Sequence, residues 1–124
     1  MTTKSKEYLA VFLSSYSKMQ EWEKLSDTER SEREDKGIQA WHAWVGKNEN
    51  AITVMGSPIG PTKLVNTKGI SAIENQITAY TVVRAESHEA AAKLFENHPH
   101  FAIFPGESIE VMECLPIPGE SNSD

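Results

Sequence analysis

A chain of 124 residues with 18 acidic and 12 basic side chains, net charge −6, has the size of one ordinary domain and no basic excess for gripping a phosphate backbone. Nucleic acid is therefore not an expected partner, and a single cysteine, Cys114, excludes an internal disulfide framework. The apolar run near the N-terminus, Tyr8 to Leu13, is too short for a membrane span or a signal-peptide core, so the expectation is a cytoplasmic protein with no membrane partner.

That first run predicts a strand with Leu9, Val11 and Leu13 on one face and Tyr8, Ala10 and Phe12 on the other. Both faces are apolar, and both need cover. Two capping boxes follow, Ser17-x-x-Gln20 and Ser26-x-x-Glu29, in which the serine oxygen accepts from an early helix N–H while the Gln or Glu side chain reaches back. They predict a short helix carrying Met19 and Trp22, then a longer one running to about Gly46. The longer helix opens in a charged run where Asp27/Arg30 and Glu29/Arg33 have ion-pair spacing, worth about 0.2–0.5 kcal/mol each. This run reads as a solvated face. The second half of the helix carries an apolar stripe of Ile38, Trp41 and Val45, widened by Trp44. Gly37 within it weakens the helix by about 1 kcal/mol relative to Ala and marks a place where a neighbour or ligand comes close.

Ala51 to Met55 predicts a second strand, closed by Gly56, Pro58, Gly60 and Pro61, with Leu64-Val65 as a short strand beyond and Asn66 to Gly69 as a turn. Gln76 to Ala85 is the clearest strand, with Ile77, Ala79, Thr81 and Val83 opposite Thr78, Tyr80 and Val82. Ser87 is a natural N-cap for the helix that follows, whose apolar face is Ala91, Leu94 and Phe95 and whose end is set by Pro99. A last strand covers about Ser108 to Cys114.

This order, strand, two helices, strand, loop, strand, helix, strand, predicts an α+β fold: the ferredoxin-like split βαβ plan, with one antiparallel sheet and helices on one face. Residues 1–115 form the expected single domain and 116–124 an extended or disordered tail. Helices on one side leave the other sheet face bare. Apolar residues on both faces of the first and third strands therefore point to a homodimer in which two sheets close a dimeric α+β barrel.

Three blocks are similar to the YCII-related family: Gly56 to Gly60 after the second strand, Tyr80 to Ala91 joining the third strand to its helix, and His98-Pro99-His100 followed by Ser108 to Val111. The resemblance implies a ferredoxin-like dimeric α+β barrel with a pocket between helices and sheet. A few members of that group resemble small aromatic-degradation enzymes such as dehydrochlorinases and isomerases. Some place a His–Asp dyad in the pocket, with the His on the long helix and the Asp before the proline of the final motif. In this chain Gly37 stands at the His position and His98 at the Asp position.

For the pocket that the resemblance implies, Trp41, His42, Tyr80, His98, His100 and Phe104 are the candidate lining residues. His98 is the candidate for a general base, since an imidazole titrates near neutrality; the alternative is a helix-ending residue whose charged ring favours the negative end of the helix dipole. His98 and His100, two apart, could offer two imidazoles to a metal, with His42 or Glu110 as a third ligand. No complete ligand set is spelled out, and the expectation is no metal and no cofactor. The Gly56 to Pro61 stretch is not a nucleotide motif, no Ser/His/Asp order stands out, and Cys114 near a strand end reads as inert. Three readings follow: a homodimer holding a small organic ligand near the Trp41/His42 helix and the His98 to Phe104 segment; a small isomerase or lyase-like enzyme for an aromatic or lactone-like substrate, with His98 as base; and a non-catalytic interaction module using the acidic helix.

Overall fold

The computed structural model describes residues 6–118, and the sheet is organised around the first strand. Strand β1 (Lys6–Leu13) pairs antiparallel on one side with β5 (Ile77–Ala85) and on the other with β6 (Ser108–Glu113), while β2 (Ile52–Pro58) adds outside β5. The order β2-β5-β1-β6 is the ferredoxin-like sheet. Alternation along β1 divides the residues as its sequence requires. Tyr8, Ala10 and Phe12 are buried beneath the helices together with Thr81 and Val83 of β5, whereas Leu9, Val11 and Leu13 face the other way and are only half-buried.

Helix α1 (Tyr16–Glu23) is capped by Ser15, whose Oγ accepts from the Lys18 N–H at 3.2 Å; Ser17, the expected cap, lies inside the first turn. Helix α2 (Asp27–Lys47) has the expected reciprocal box, Glu29 N–H to Ser26 Oγ at 3.1 Å and Ser26 N–H to Glu29 Oε1 at 3.0 Å. Asp27 and Arg30 form the expected ion pair. The packed stripe of α2 differs from the expected one, because Ile38 is 51% exposed while Gly37, Trp41 and Trp44 face the sheet. Two indoles reach further into the core than an isoleucine and rotate the helix toward the side that carries them.

The loop between β2 and β5 is a separate hairpin, β3 (Thr62–Asn66) and β4 (Gly69–Ile73), joined by Thr67-Lys68. Its second strand was not expected, since Gly69 to Ile73 lacks strong alternation. Helix α3 (His88–Lys93) is capped by Ser87 and ends sooner than expected: the chain leaves it through a turn in which Asn97 takes φ 57°. Pro99 does not merely stop that helix. It is the first residue of a further one-turn helix, α4 (Pro99–Ala102), a position where proline's fixed φ and missing N–H cost nothing. Of the expected tail, residues 116–118 carry no helix or strand, and 119–124 lie outside the described residues, as do 1–5. Among the described residues no helix is long and apolar enough to cross a membrane.

Gly56 lies where the β2/β5 register shifts between Val54 and Ser57, at φ +72°, and a Cβ there would sit 1.8 Å from the Tyr80 carbonyl oxygen. Neither the backbone angle nor the carbonyl can yield cheaply. Gly56→Ala is expected to lower unfolding free energy in urea by about 2–3 kcal/mol. Gly60→Ala, with open space around the new methyl, should stay within about 0.5 kcal/mol of the parent.

Candidate functional site

Between α1, α2, the α4 segment and the edge of the sheet lies a cavity of about 300 Å³. Phe12, Ser14 and Ala79 form its floor, Trp41 its roof and Met19 and Pro58 its sides, and His100, Phe104 and Gly106 close one end. Phe12 is the anchor: its ring packs 5.2 Å from Trp41, 6.0 Å from Phe95 and 5.2 Å from His100. Of the six residues nominated from sequence, Trp41, His100 and Phe104 come together here. His98 lies behind the wall, fully buried. His42 is exposed on the outer side of α2, because α2 turns Trp41 and Trp44 inward and leaves position 42 in solvent. Tyr80 belongs by strand alternation to the opposite sheet face, paired with Val11.

His98 is the N-cap of α4: its Nδ1 accepts the His100 N–H at 3.0 Å. It therefore does not cap the preceding helix as a cation. The acceptor role at Nδ1 puts the proton of the neutral ring on Nε2, which has no hydrogen-bond partner among the described residues. Between ring centres, Trp44 stands at 4.7 Å, Trp41 at 4.8 Å and Phe12 at 5.1 Å, all steeply inclined to the imidazole, so the ring is enclosed by aromatic side chains. Loss of solvation, followed by the neighbouring His100, pushes the His98 pKa down to about 3. A group so sealed and so weakly basic does not reach a ligand.

His100 is held differently. Its Nε2 lies 2.8 Å from the Leu13 carbonyl oxygen and 3.0 Å from that of Ser108, tying the end of β1 to the start of β6. Burial lowers its pKa, while both carbonyls act in the opposite sense. Gly106 packs flat against it; a Cβ there would meet Nδ1 at 2.3 Å. Phe104 in turn docks in a notch at Gly37, where a Cβ would lie 2.3 Å from the ring tip. The close approach expected at Gly37 is thus a phenylalanine of the same chain, filling the place where the resemblance puts a dyad histidine.

A metal reading finds no support in the side chains. His98 Nδ1 and His100 Nε2 are both taken by backbone, Glu110 is exposed on β6 and His42 lies outside, and among the described residues no three His, Cys, Asp or Glu side chains cluster. Sequence reasoning missed Phe12, Ser14, Met19, Pro58, Thr78, Ala79, Pro105 and Gly106. Only Gly106, beside a proline and after two aromatics, carried a local signal of close approach.

No family model matches the chain, and no curated protein does. Among solved structures, the fold is similar to that of 5-chloro-2-hydroxyhydroquinone dehydrochlorinase from Burkholderia phenoliruptrix, in complex with 2,5-dihydroxybenzoquinone, with TM-score 0.51 and 16% identity over 85% of this chain and 89% of that one. At that identity the shared property is the α+β fold.

Two measurements test this site. The folded-state pKa of His98 lies below its ordinary 6.5, so from about pH 6.5 toward about 3 the unfolded chain takes up a proton that the folded chain refuses. Stability is full above that window and falls within it. His98→Phe, which keeps a ring in the box, should shrink the loss of unfolding free energy between about pH 7.5 and about pH 5; equal losses in both proteins would remove His98 as the cause. For the notch, Gly37→Ala is expected to destabilise the parent through Phe104. In a Phe104→Ala background the same change should become stabilising by up to about 1 kcal/mol, the ordinary helix preference of alanine.

Proposed function

We propose that this chain is a YCII-related cytoplasmic homodimer that holds a small, flat organic ligand in the cavity between helices and sheet. The observation that carries the reading is the cavity: about 300 Å³, walled by Phe12, Trp41 and Phe104, with few polar groups. A lined, concave, mostly apolar space with sparse polar groups is what small-molecule sites look like. The dehydrochlorinase of similar fold was solved with a substituted quinone bound, which favours a ring-shaped occupant.

The dimer rests on the bare sheet face. Leu9, Val11, Leu13, Tyr80 and Val82 share it, with Val54 46% and Met112 41% exposed at its margins. A contiguous apolar sheet face of this kind is covered most simply by a second copy of itself.

One observation favours a second reading, isomerase or lyase-like catalysis on an aromatic or lactone-like substrate. It is an imidazole on the cavity wall, that of His100 and not the His98 nominated from sequence; a neutral ring is the form that accepts a proton.

A thermal-shift screen with flat aromatic compounds tests the pocket. A binder at about a hundred times its Kd should add about 2.7 kcal/mol of stability, and Trp41→Ala should abolish the shift. Absence of any hit across the screen would remove the ligand reading. For the dimer, light scattering at micromolar concentration should give twice the chain mass for the parent and the single-chain mass for Val54→Asp/Met112→Asp; a monomeric parent would overturn it.

A further inference from the structure

The polar side chains on the cavity wall have something in common that their types do not reveal. Ser14 Oγ donates its hydrogen to the Pro105 carbonyl, and Thr78 Oγ1 donates to the Phe12 carbonyl at 3.1 Å. His100 Nε2 faces two carbonyl oxygens, which can only accept, so Nε2 must carry the ring's hydrogen. The lone pair of the neutral ring is then on Nδ1, which bonds no group among the described residues and against which any side chain at position 106 would press. All three side chains have committed their hydrogens to backbone and present acceptors.

The backbone around the cavity follows the same rule. Pro58 and Pro105 have no N–H, the Gly106 N–H goes to His100 O at 3.0 Å, the Phe104 N–H to Pro99 O at 3.1 Å, and the Ser14 N–H to Gln76 O at 3.0 Å. The indole N–H of Trp41 makes no hydrogen bond among the described residues, and it is uncharged. Among the described residues no lysine or arginine lines the space.

Resting on the reading that the cavity holds a ligand, we propose that it selects uncharged single-ring compounds bearing an O–H or N–H donor, with His100 Nδ1 as the acceptor, and rejects their carboxylate analogues. Burial keeps the imidazole neutral, so it offers an anion no charge. A carboxylate entering here would be desolvated against three acceptors with no cation to compensate, whereas a phenol trades its bond to water for one to imidazole. The volume, at the small end for ligand sites, fits one substituted ring.

The experiment uses three probes of one shape, 4-methylphenol, 4-methylanisole and 4-methylbenzoate, titrated into the full chain at pH 7.5 by calorimetry. The phenol should bind tightest, the anisole about tenfold weaker for loss of one hydrogen bond, and the benzoate weaker still. In a histidine ¹⁵N spectrum, the signal of His100 Nδ1 should move on adding the phenol and hold still with the anisole, a readout that needs no variant to fold. Benzoate binding as tightly as the phenol, or equal affinities for phenol and anisole, would overturn the selectivity while leaving the ligand site standing. If none of the three binds, the ligand site itself falls and the inference with it.

Discussion

One proton on His100 Nε2, shared by two carbonyl oxygens, holds much of this molecule in place. Leu13 ends β1 and Ser108 begins β6, so the imidazole bridges adjacent strands at the end where their own ladder runs out. That bond sets the tautomer, and the tautomer puts a lone pair on Nδ1 of a ring that lines the cavity. Gly106 follows as a necessity, since any side chain there would collide with the ring that the two carbonyls have positioned.

Two histidines a single residue apart thus live in different chemistry. His98 spends its lone pair on the His100 backbone N–H and its remaining edge among indoles, which makes it a weakly basic packing element. His100 spends its hydrogen on backbone and keeps its lone pair. The difference is one of connectivity and not of burial, for both rings are nearly inaccessible to solvent. Where the resemblance puts a dyad, this chain has a glycine notch filled by Phe104 and a sealed imidazole, and the cavity polarity comes from residues outside that dyad.

The sheet has the same two-sided economy. Its helix-covered face is closed by Phe12, Phe95 and the two indoles at aromatic contact distances, while its other face carries Leu9, Val11, Leu13, Tyr80 and Val82 half-buried, with Glu110 beside Val11.

Elements whose hydrogen bonds close within a few residues were legible in the sequence. The Ser26/Glu29 box spans three positions, the β1 alternation has a period of two, and together with the later strands they establish the ferredoxin-like order. Trp41, His100 and Phe104 were named from type and position. The choice of Ser15 over Ser17 as cap, the rotation of α2 that exposes Ile38 and His42, and the one-turn helix after Pro99 were not legible, because packing decided among locally equivalent alternatives. The character of the cavity lay furthest out of reach. Serine, threonine and histidine can each donate or accept, and which they do here depends on carbonyls 91, 66 and 87 residues away along the chain, which only the tertiary structure brings beside them.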